Sequence, residues 1–487
     1  MEVRVRFAPS PTGYLHVGGL RTALYNYLFA KHNDGKIILR IEDTDRSRFV
    51  ENATENLIES LSWAGIIFDE GPVQGGDYGP YFQSQRLEIY RKYCDDLIKS
   101  GSAYYCFDTA EELEAMRQRL QAEKKDPKYD RYFMRNQFTL GDTQTYKLLE
   151  SGADYVVRLK VPEEGFVVFN DVIRGEVKVP CKDIDDQILL KSDGYPTYHL
   201  ANVVDDHLMQ ITHVIRGEEW LPSTPKHILL YEAFGWEKPI FAHLPLLLNK
   251  DKSKLSKRQG SVAVEDYRAK GYLRDAFVNF IALLGWNPKG DQEIYSMDEL
   301  ITYFDLSKVN KGGAVFDTQK LDWMNAQYLR KISEEQLAEM LVPILKAYGL
   351  GEYRKEYNEK VIKLFIERVN RLNEIPEIAD YMFKDPEIFD EKFFEKEWKE
   401  DSEEIIKCFL PYLIDLNDFS HDKLYEVAKE YCESNVLKLK VLAQLLRLMI
   451  TGKPTGAGMF ETMEVLGKDN VIRRIKSFLD KKSKGEL

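Results

Sequence analysis

Hydrophobic and polar residues alternate at the start of the chain with the period of two that is typical of a β-strand. Val3, Val5 and Phe7 fall on one face of this strand, and Arg4 and Arg6 fall on the other. The pattern therefore predicts a strand with one apolar face and one polar face.

The apolar period then changes to that of a helix. After a turn rich in proline and glycine at residues 9–13, apolar residues recur every three or four positions, and a strand near residues 36–41 precedes a second such helix. A strand, a helix and a strand in this order predict a parallel sheet with helices on its faces. The apolar faces consist of Leu20, Ala23, Leu24, Tyr27 and Leu28 in the first helix and of Leu57, Ile58 and Leu61 in the second.

Later parts of the chain differ in pattern. Residues 81–181 are irregular, as an inserted domain would be, and the α/β alternation resumes near residues 187–190 and 211–215. After residue 331 one helix follows another, and we expect one or two helical domains there. The markers are a capping box at residues 333–336, a helix stop at Gly349 and a helical stripe made of Val361, Leu364, Phe365, Val369 and Leu372.

Length and composition are typical of a cytoplasmic protein with several domains. The 487 residues predict about three or four domains, no apolar run reaches the roughly 18 residues of a membrane helix, and the first residues lack the apolar core of a signal peptide. The five cysteines are odd in number and widely spaced, so they predict neither a disulfide framework nor a zinc site of the CxxC type.

The charge of the chain is uneven. A net charge of −12 argues against a protein that coats nucleic acid without specificity. Residues 468–487 are an exception, because seven basic residues stand against three acidic ones there. For this segment alone a solvated and frayed chain end is the favoured interpretation, and a basic face that binds a polyanion is the alternative.

Two early segments carry candidate chemistry. Residues 9–19 lie between the first strand and the first helix, where glycines and free backbone N–H groups favour a phosphate, and His16 can donate to a phosphate oxygen. A tight turn with a surface histidine is the favoured alternative for this segment alone. Residues 41–46 place three carboxylates at the carboxyl end of a strand, the edge where open α/β sheets bind ligands. Glu42 is the candidate for binding an ammonium group or a metal, and Asp45 is the candidate helix cap.

Two later segments add donors and positive charge. Residues 191–202 and 216–220 contain tyrosine, asparagine and arginine side chains that suit a carboxylate. Residues 205–207 (Asp-Asp-His) allow a metal site, but a solvated or capping acidic pair is the favoured interpretation. Five basic residues between Lys250 and Arg258 predict either a phosphate clamp or a basic surface loop.

These segments gain meaning in combination. Residues 16–19 read HVGG, which is similar to the HIGH motif, and residues 254–258 read KLSKR, which is similar to the KMSKS motif. Residues 21–24, 39–45 and 193–202 are similar, nearly letter for letter, to segments of the glutamyl-tRNA synthetases, which also carry these two motifs. The chain thus resembles the glutamyl-tRNA synthetases, class I aminoacyl-tRNA synthetases of the bacterial type, over essentially its whole length.

The resemblance implies an α/β fold, in which a Rossmann-type catalytic domain of class I synthetases is followed by all-α anticodon-binding domains. The two halves of the catalytic domain are expected at residues 1–80 and 187–249, with an inserted domain for the acceptor end of the tRNA at 81–186. The KMSKS loop and a stem-contact region are expected at 250–330. The helical anticodon-binding region, with two subdomains, is expected at 331–487.

The resemblance also implies the reaction and its partners. The enzyme is expected to activate L-glutamate with ATP and Mg²⁺ and to transfer it to tRNA(Glu), as a cytoplasmic monomer that acts on neither DNA nor a membrane. Mg²⁺ should rest mainly on the phosphates of ATP rather than in a protein cage. Some relatives carry zinc in the insertion, but only Cys106 lies near that place, so we predict no zinc.

The residues implied for this chemistry fall into overlapping groups. The catalytic group is His16, Gly18, Lys254 and Lys257, with Lys257 expected to stabilise charge as pyrophosphate leaves. The ATP-binding group is His16, Gly18, Gly19, Glu219, Lys254, Ser256 and Lys257. The glutamate-binding group is Arg6, Ala8, Ser10, Glu42, Tyr198, Asn202 and Arg216.

Three side chains receive specific roles. Glu42 is expected to bind the α-ammonium group and Arg6 the side-chain carboxylate, because glutamine would leave a buried guanidinium without its counter-charge, at a cost of roughly 3–5 kcal/mol. Arg368 is implied to accept cytosine and refuse uracil at the last anticodon base, with a structural salt bridge as the alternative. The basic segment 468–487 then gains a second interpretation, as a surface that contacts phosphates.

Several alternatives stay open. The enzyme could be non-discriminating and also charge tRNA(Gln), or it could be a paralogue that only binds tRNA, although intact His16, Glu42, Arg216 and Lys257 argue against the latter. A short relative of the glutamyl-queuosine type lacks the residues after 331. A generic nucleotidyltransferase would share the first and last motifs but needs no helical third with a basic end.

Overall fold

The computed structural model describes residues 2–45, 50–256, 262–288 and 290–486. The chain forms two compact units, one made of residues 1–268 with 277–317 and the other of residues 269–276 with 318–487. None of the helices within the described ranges is both long enough and apolar enough to cross a membrane.

The strands of the described residues all belong to the first unit, and they are short. They pair in four sheets, of which the largest has four strands. The strands are β1 (Arg4–Phe7), β2 (Lys36–Leu39), β3 (Ala103–Cys106), β4 (Val156–Leu159), β5 (Phe166–Asp171), β6 (Gly175–Pro180), β7 (Ile188–Leu190), β8 (His213–Gly217), β9 (Ile240–Leu244), β10 (Leu247–Leu248) and β11 (Ala314–Val315).

Helices lie between these strands, as the α/β alternation predicts. In the first helix Leu20, Leu24 and Leu28 are fully buried, so its predicted apolar face is confirmed. The helices up to residue 317 are α1 (Val17–His32), α2 (Ala53–Trp63), α3 (Leu87–Lys99), α4 (Ala110–Ala122), α5 (Gln137–Leu140), α6 (Asp142–Glu150), α7 (Tyr198–Leu208), α8 (Thr224–Phe234), α9 (Val264–Ala269), α10 (Arg274–Ala282) and α11 (Met297–Tyr303).

Two parallel strand pairs position the residues discussed below. β1 pairs with β2, and β8 pairs with β9 so that Arg216 lies opposite His243. The backbone N–H of Thr212, just before β8, donates to the carbonyl oxygen of Arg4 (2.9 Å), which connects the two pairs. The predicted parallel arrangement is therefore present, although it is divided between short sheets.

The stretch at residues 81–181, which looks irregular in the sequence, contains regular elements. β3, β4 and β7 form an antiparallel sheet, and helices α3 to α6 lie in the same part of the chain. The hairpin of β5 and β6 joins the sheet of β8 and β9, because Asp171 at the end of β5 pairs with Phe241 in β9. Strands of four to six residues are too short to show a clear period in the sequence.

The polar face of β1 is buried together with its apolar face. Arg4 and Arg6 expose only 4% and 3% of their surface. A strand of a parallel sheet is covered on both faces, so a charged side chain there needs a partner. Arg4 forms an ion pair with Glu70 (2.8 Å), and Arg6 forms one with Asp206 (3.1 Å).

The second unit is built from helices in its described part. Their apolar faces share one core, to which every helix from α13 to the chain end contributes. The helices are α12 (Thr318–Leu329), α13 (Glu334–Ala347), α14 (Lys355–Phe365), α15 (Glu374–Ala379), α16 (Glu391–Glu397), α17 (Ser402–Asp415), α18 (His421–Ser434), α19 (Leu439–Thr451), α20 (Met459–Leu466) and α21 (Lys468–Ser483).

Local signals set both ends of α13, and the predicted stripe that follows it differs from the observed structure. Ser333 caps α13 by accepting from the N–H of Gln336 (3.3 Å), which is one half of the predicted capping box; among the described residues the reciprocal bond to the Gln336 side chain is absent. Gly349 follows the helix with a φ of 69°, as predicted. The predicted stripe after residue 361 is only partly helical. The chain leaves α14 through a 3-10 turn and becomes extended at Val369, which with Leu372 is buried in the same core.

The basic C-terminal segment is a packed helix, so the interpretation as a frayed end is wrong. Val471, Ile475 and Phe478 on one face of α21 are buried. Arg474, between them, forms an ion pair with Asp385 (2.9 Å). An apolar residue every three or four positions holds the helix in the core, while Lys476 is exposed and the other lysines of α21 are half-buried.

The packing of α21 leads to the first prediction. Phe478→Ala should lower the free energy of unfolding by about 3–5 kcal/mol, because the ring packs against Phe389 and Trp398, each at 5.1 Å between ring centroids. Lys476→Ala, two positions away and exposed, should change it by less than about 0.5 kcal/mol. Urea denaturation measures both variants, and equal effects would contradict the packed helix.

Candidate active site

A cavity of about 420 Å³ opens in the first unit where β1 ends and α1 begins. The end of β8 and the start of α7 supply the opposite wall. This is the carboxyl edge of the parallel strands, where open α/β sheets bind ligands. Predicted residues that line it are Arg6, Ala8, Ser10, His16, Gly18, Gly19, Glu42, Tyr198, Asn202, Arg216 and Glu219.

His16 shapes the start of α1. It occupies the N-cap position, and its Nδ1 accepts the backbone N–H of Gly18 (2.9 Å). A neutral ring with an accepting Nδ1 carries its proton on Nε2, so the ring presents a donor on its other side. A Cβ at Gly18 would lie only 3.2 Å from Nδ1, so the glycine lets the ring and the backbone approach each other.

A second cavity of about 290 Å³ adjoins the first and shares the start of α1 with it. Lys254 and Gly217 line this second cavity, so the structure brings the lysine of the KLSKR segment to the same helix end as His16. Ser256 lines neither cavity. Lys257 lies outside the described residues.

A network of buried ion pairs supports the wall of the first cavity. Arg40 is fully buried and contacts Asp206 (2.8 Å) and Glu42 (3.1 Å). Arg6 contacts the same Asp206 through Nε (3.1 Å) and Nη2 (3.3 Å). The premise that bound glutamine would leave Arg6 without a counter-charge is therefore wrong, because Asp206 already supplies one.

Asp205 and Asp206 were expected to be solvated or to cap a helix, with a metal site as the alternative. Both are buried inside α7, and Asp205 accepts from Arg86 (2.7 Å). Burial opposes the charge of Asp206, but Arg6 and Arg40 outweigh it and hold the pKa of this carboxyl below its usual value. The solvated interpretation is therefore wrong.

Two further expectations concern metals and caps. Within the described ranges, no group of three or more histidine, cysteine, aspartate or glutamate side chains is arranged to hold a metal ion. Asp45 does not cap α2, because that helix begins at Ala53 with Asn52 in the N-cap position.

Glu42 is the carboxylate that faces the cavity from the buried network. Burial raises its pKa, although Arg40 and Arg6 act in the opposite direction. Asn202 supports the network from α7: with its amide oriented to satisfy both ends, it donates to Asp206 (3.3 Å) and accepts from Arg40 (3.1 Å). A cationic group placed in the cavity would stabilise the charged form of Glu42, which burial destabilises.

Arg216 is held differently from Arg6. It is buried, and in the described part of the chain no carboxylate lies within ion-pair distance of its guanidinium. All five of its N–H donors bond to neutral acceptors. These acceptors are His243 Nε2 (3.1 Å), the Tyr198 hydroxyl (2.7 Å), His227 Nδ1 (3.4 Å), the Trp220 carbonyl (3.4 Å) and Thr224 Oγ1 (2.9 Å).

The aromatic rings of Tyr198 and Trp220 lie against each other beside this guanidinium. Their rings lie 4.4 Å apart between centroids, and Trp220 is 40% exposed. The contact of Arg216 with the Trp220 carbonyl is long, so a carboxylate can take its place. The Tyr198 oxygen accepts from Arg216, and its own O–H donates to none of the described residues, which leaves it available to a ligand.

Sequence reasoning missed the residues that support Arg6 and Arg216. Asp206 was noted but not assigned to Arg6, and Trp220 was not assigned to the cavity. His243, His227 and Thr224 come from other elements, and nothing near them in the sequence marks them. One usable signal was the run Val203–Val204 before the aspartates, because two apolar residues next to a charge on a helix indicate burial.

Arg368 lies in the second unit, in the 3-10 turn Ile366–Arg368. Its side chain is exposed and forms no ion pair with any residue that the structure describes. The alternative of a structural salt bridge at Arg368 is therefore wrong. An exposed guanidinium without an intramolecular partner remains available to an external acceptor.

Comparisons with known proteins agree with this arrangement. A family model described as "tRNA synthetases class I (E and Q), catalytic domain" matches residues 2–323, and one described as "Anticodon binding domain" matches residues 336–479. Glutamate--tRNA ligases from Chlorobium luteolum and Chlorobaculum parvum are 50% and 51% identical to the chain. The alignments cover 98% of the chain and of the relative in the first case, and 97% of each in the second.

The solved structures that are similar to this chain are also described as glutamate tRNA ligases or synthetases. A crystal structure described as a glutamate tRNA ligase from Elizabethkingia meningosepticum in complex with its amino acid superimposes with a TM-score of 0.93 at 42% identity, over 99% of each chain. Glutamate-tRNA synthetase from Elizabethkingia anophelis superimposes with a TM-score of 0.90, also at 42% identity, over 99% of this chain and 100% of that one.

The buried network leads to the second prediction. Asp205→Asn should lower the free energy of unfolding by about 3–5 kcal/mol, because it leaves the buried charge of Arg86 without its partner. Glu232→Gln removes a carboxylate from an exposed pair with Lys238 and should cost less than about 1 kcal/mol. Urea denaturation measures the free energy of unfolding of both variants. A loss of free energy in Asp205→Asn no greater than in Glu232→Gln would refute the buried ion pair as a structural requirement.

Proposed function

Since this chain belongs to the glutamate–tRNA ligases among the class I aminoacyl-tRNA synthetases, we propose that the cavity beside α1 binds L-glutamate and ATP for the charging of tRNA(Glu). Glutamate has two carboxylates and one ammonium group. The cavity offers the uncompensated charge of Arg216 to the side-chain carboxylate and the buried carboxylate of Glu42 to the ammonium group. The charge pattern of the site therefore corresponds to that of the substrate.

The observation that carries this proposal is the state of Arg216. A buried guanidinium bonded only to neutral acceptors keeps its full charge and attracts an anion. We assign the side-chain carboxylate of glutamate to Arg216 and Tyr198, together with Nη1 of Arg6, which Asp206 leaves uncovered. Glutamine is neutral at this position and would leave Arg216 uncompensated, which explains selectivity for glutamate.

Glu42 is assigned to the α-ammonium group. It lines the cavity, and a cation there compensates the burial that raises its pKa. Ala8, Ser10 and Asn202 line the same cavity, and we assign them to the positioning of the amino acid. The α-carboxylate is thereby left to react.

ATP is assigned to the start of α1 and to the adjoining cavity. The start of α1 carries the positive end of the helix dipole and the backbone N–H of Gly19, His16 lies at the same helix end, and Lys254 adds positive charge. Glu219 lines both cavities and suits the ribose hydroxyls. Mg²⁺ would arrive with ATP and neutralise charge on its phosphates.

The reaction then follows in two balanced steps. An oxygen of the glutamate α-carboxylate attacks the α-phosphorus of ATP, the bond to the β-phosphate breaks, and glutamyl-adenylate and pyrophosphate form. A hydroxyl of the terminal adenosine of the tRNA attacks the activated carbonyl, AMP leaves with the bonding electron pair, and the hydroxyl proton passes to the phosphate of the leaving AMP. The side chains named here bind, align and stabilise charge, which accounts for most catalysis of this kind.

The remaining expectations rest on the family. We propose that residues 81–186 hold the acceptor end of the tRNA and that residues 331–487, which include the matched anticodon-binding domain, read its anticodon. The match over nearly the whole length of the relatives argues against the short glutamyl-queuosine type. No observation favours a non-discriminating enzyme. The monomeric state, the cytoplasmic location and the absence of zinc stay predictions.

The glutamate site gives the third prediction. Glu42→Gln should raise the KM for glutamate about 10- to 150-fold and leave the KM for ATP within twofold, because the ammonium group loses its charged partner while Arg40 keeps Asp206. Asp43→Asn is the matched control: Asp43 bonds to Ser84 (2.6 Å), does not line the cavity and should leave both constants within twofold. Glutamate-dependent ATP–pyrophosphate exchange with tRNA(Glu) present measures both constants. Absence of exchange in the wild type would refute the proposed function.

The anticodon role gives the fourth prediction. Arg368→Gln should reduce the preference for tRNA(Glu) over tRNA(Gln) by about tenfold, because one hydrogen bond from a charged donor to the last anticodon base is lost. Lys363→Gln removes a positive charge from the neighbouring exposed surface of α14 and should leave the ratio unchanged. The ratio of kcat/KM for the two tRNAs is the measurement, and an unchanged ratio in Arg368→Gln would exclude the role.

A further inference from the structure

A buried aspartate and histidine stand behind Arg216, outside the cavity. Asp171, at the end of β5, contacts Nδ1 of His243 in β9 at 2.6 Å, and both side chains are fully buried. His243 Nε2, on the other side of the ring, lies 3.1 Å from Nε of Arg216. The three groups form a continuous chain from the hairpin of β5 and β6 to the cavity wall.

The donors in this series of hydrogen bonds fix which ring nitrogen of His243 carries the proton. Arg216 Nε can only donate, so His243 Nε2 must accept and its proton must sit on Nδ1. The Asp171 carboxylate accepts a hydrogen bond from this Nδ1–H group. Burial opposes its charge, yet the bond from His243 outweighs this and lowers the pKa of Asp171. Burial also lowers the pKa of His243, so the ring is neutral at pH 7 and its Nε2 lone pair is available.

The same order of donors continues on the other side of the guanidinium. His227 Nδ1 accepts from Arg216 (3.4 Å), so His227 carries its proton on Nε2, which lies 3.2 Å from Nδ1 of His199. Burial lowers the pKa of His199 to about 3 and that of His227 well below its ordinary value. Arg216 is thus flanked by two neutral imidazoles, each in one defined tautomer.

We propose that Asp171 and His243 are positioning residues, which hold the Arg216 guanidinium toward the cavity and thereby set the selectivity for a substrate with a side-chain carboxylate. The inference rests on the glutamate-binding role proposed for Arg216. A carboxylate in direct contact with Arg216 would orient it equally well but would neutralise it, as Asp206 does for Arg6. Asp171 fixes the ring of His243, and the ring in turn fixes the Arg216 guanidinium through Nε2. Because the imidazole lies between them, the Asp171 carboxylate stays away from the substrate site.

Asp171→Asn tests this arrangement with little change in shape. The asparagine oxygen can still accept the backbone N–H groups of Ile173 (3.0 Å) and Arg174 (2.8 Å), so the turn after β5 is kept. Its NH₂ group faces Nδ1 of His243 and forces the proton onto Nε2, where it opposes the N–H of Arg216. The KM for glutamate should rise about 10- to 100-fold, with the KM for ATP and the kcat at saturating glutamate within threefold.

Two substitutions at His243 separate positioning from packing. In His243→Gln the amide reaches the place of Nε2 and can accept from Arg216, whereas in His243→Asn it reaches only the place of Nδ1. Positioning predicts that the glutamine variant keeps a KM for glutamate at least fivefold lower than the asparagine variant. In the His243→Gln background, adding Asp171→Asn should change this KM by less than about twofold, because no tautomer remains to be set.

A readout without turnover completes the test. Two-bond proton–nitrogen NMR spectra of the full chain labelled in its histidines should show His243 as the Nδ1–H tautomer in the wild type and as the Nε2–H tautomer in Asp171→Asn. A wild-type Nε2–H tautomer, or an unchanged KM for glutamate in Asp171→Asn despite the change of tautomer, would overturn the positioning role while the proposed function stands. Failure of the wild type to show glutamate-dependent exchange would overturn both.

Discussion

The ion pairs of Arg40 are the constraint on which the candidate active site depends. Its fully buried guanidinium joins the end of β2 to α7 through Glu42 and Asp206, and α7 carries Tyr198 and Asn202 into the cavity. Burying such charges contributes little net stability, but leaving one of them unpaired is costly. The network therefore acts less by stabilising the fold than by allowing only one relative placement of the strand end and the helix.

Arg6 and Arg216 show how one cavity uses the same residue type in two ways. Asp206 neutralises Arg6 through Nε and Nη2. Arg6 therefore contributes to the shape of the cavity and leaves Nη1 for a ligand, but it adds no uncompensated charge. Arg216 is enclosed by neutral acceptors and keeps its charge for a ligand. The difference matters for specificity, because only an uncompensated guanidinium makes the exchange of a carboxylate for a neutral amide expensive.

Much of the architecture follows from the sequence. The period of apolar residues predicts β1, α1 and the helical second unit, and the motifs point to residues that gather around one cavity although they are as far apart as Arg6 and Glu219. Periodicity shows which residues share a face but not what covers that face, so it cannot show that Arg6 is buried. Arg40 and its buried partner Asp206 are 166 positions apart, and such a distant pair carries no mutual signal in one sequence.

The position of Asp171 shows why an inserted region need not be independent of the site beside it. Residues 81–186 interrupt the α/β alternation, yet β5 within them pairs with β9 and ends in the carboxylate that faces His243. A change in the placement of β5 would therefore act on Arg216 through one ring, without any contact with the substrate. The orientation of Arg216, the charge proposed to select glutamate, is thus coupled to a hairpin that a domain boundary drawn from the sequence alone assigns to another part of the protein.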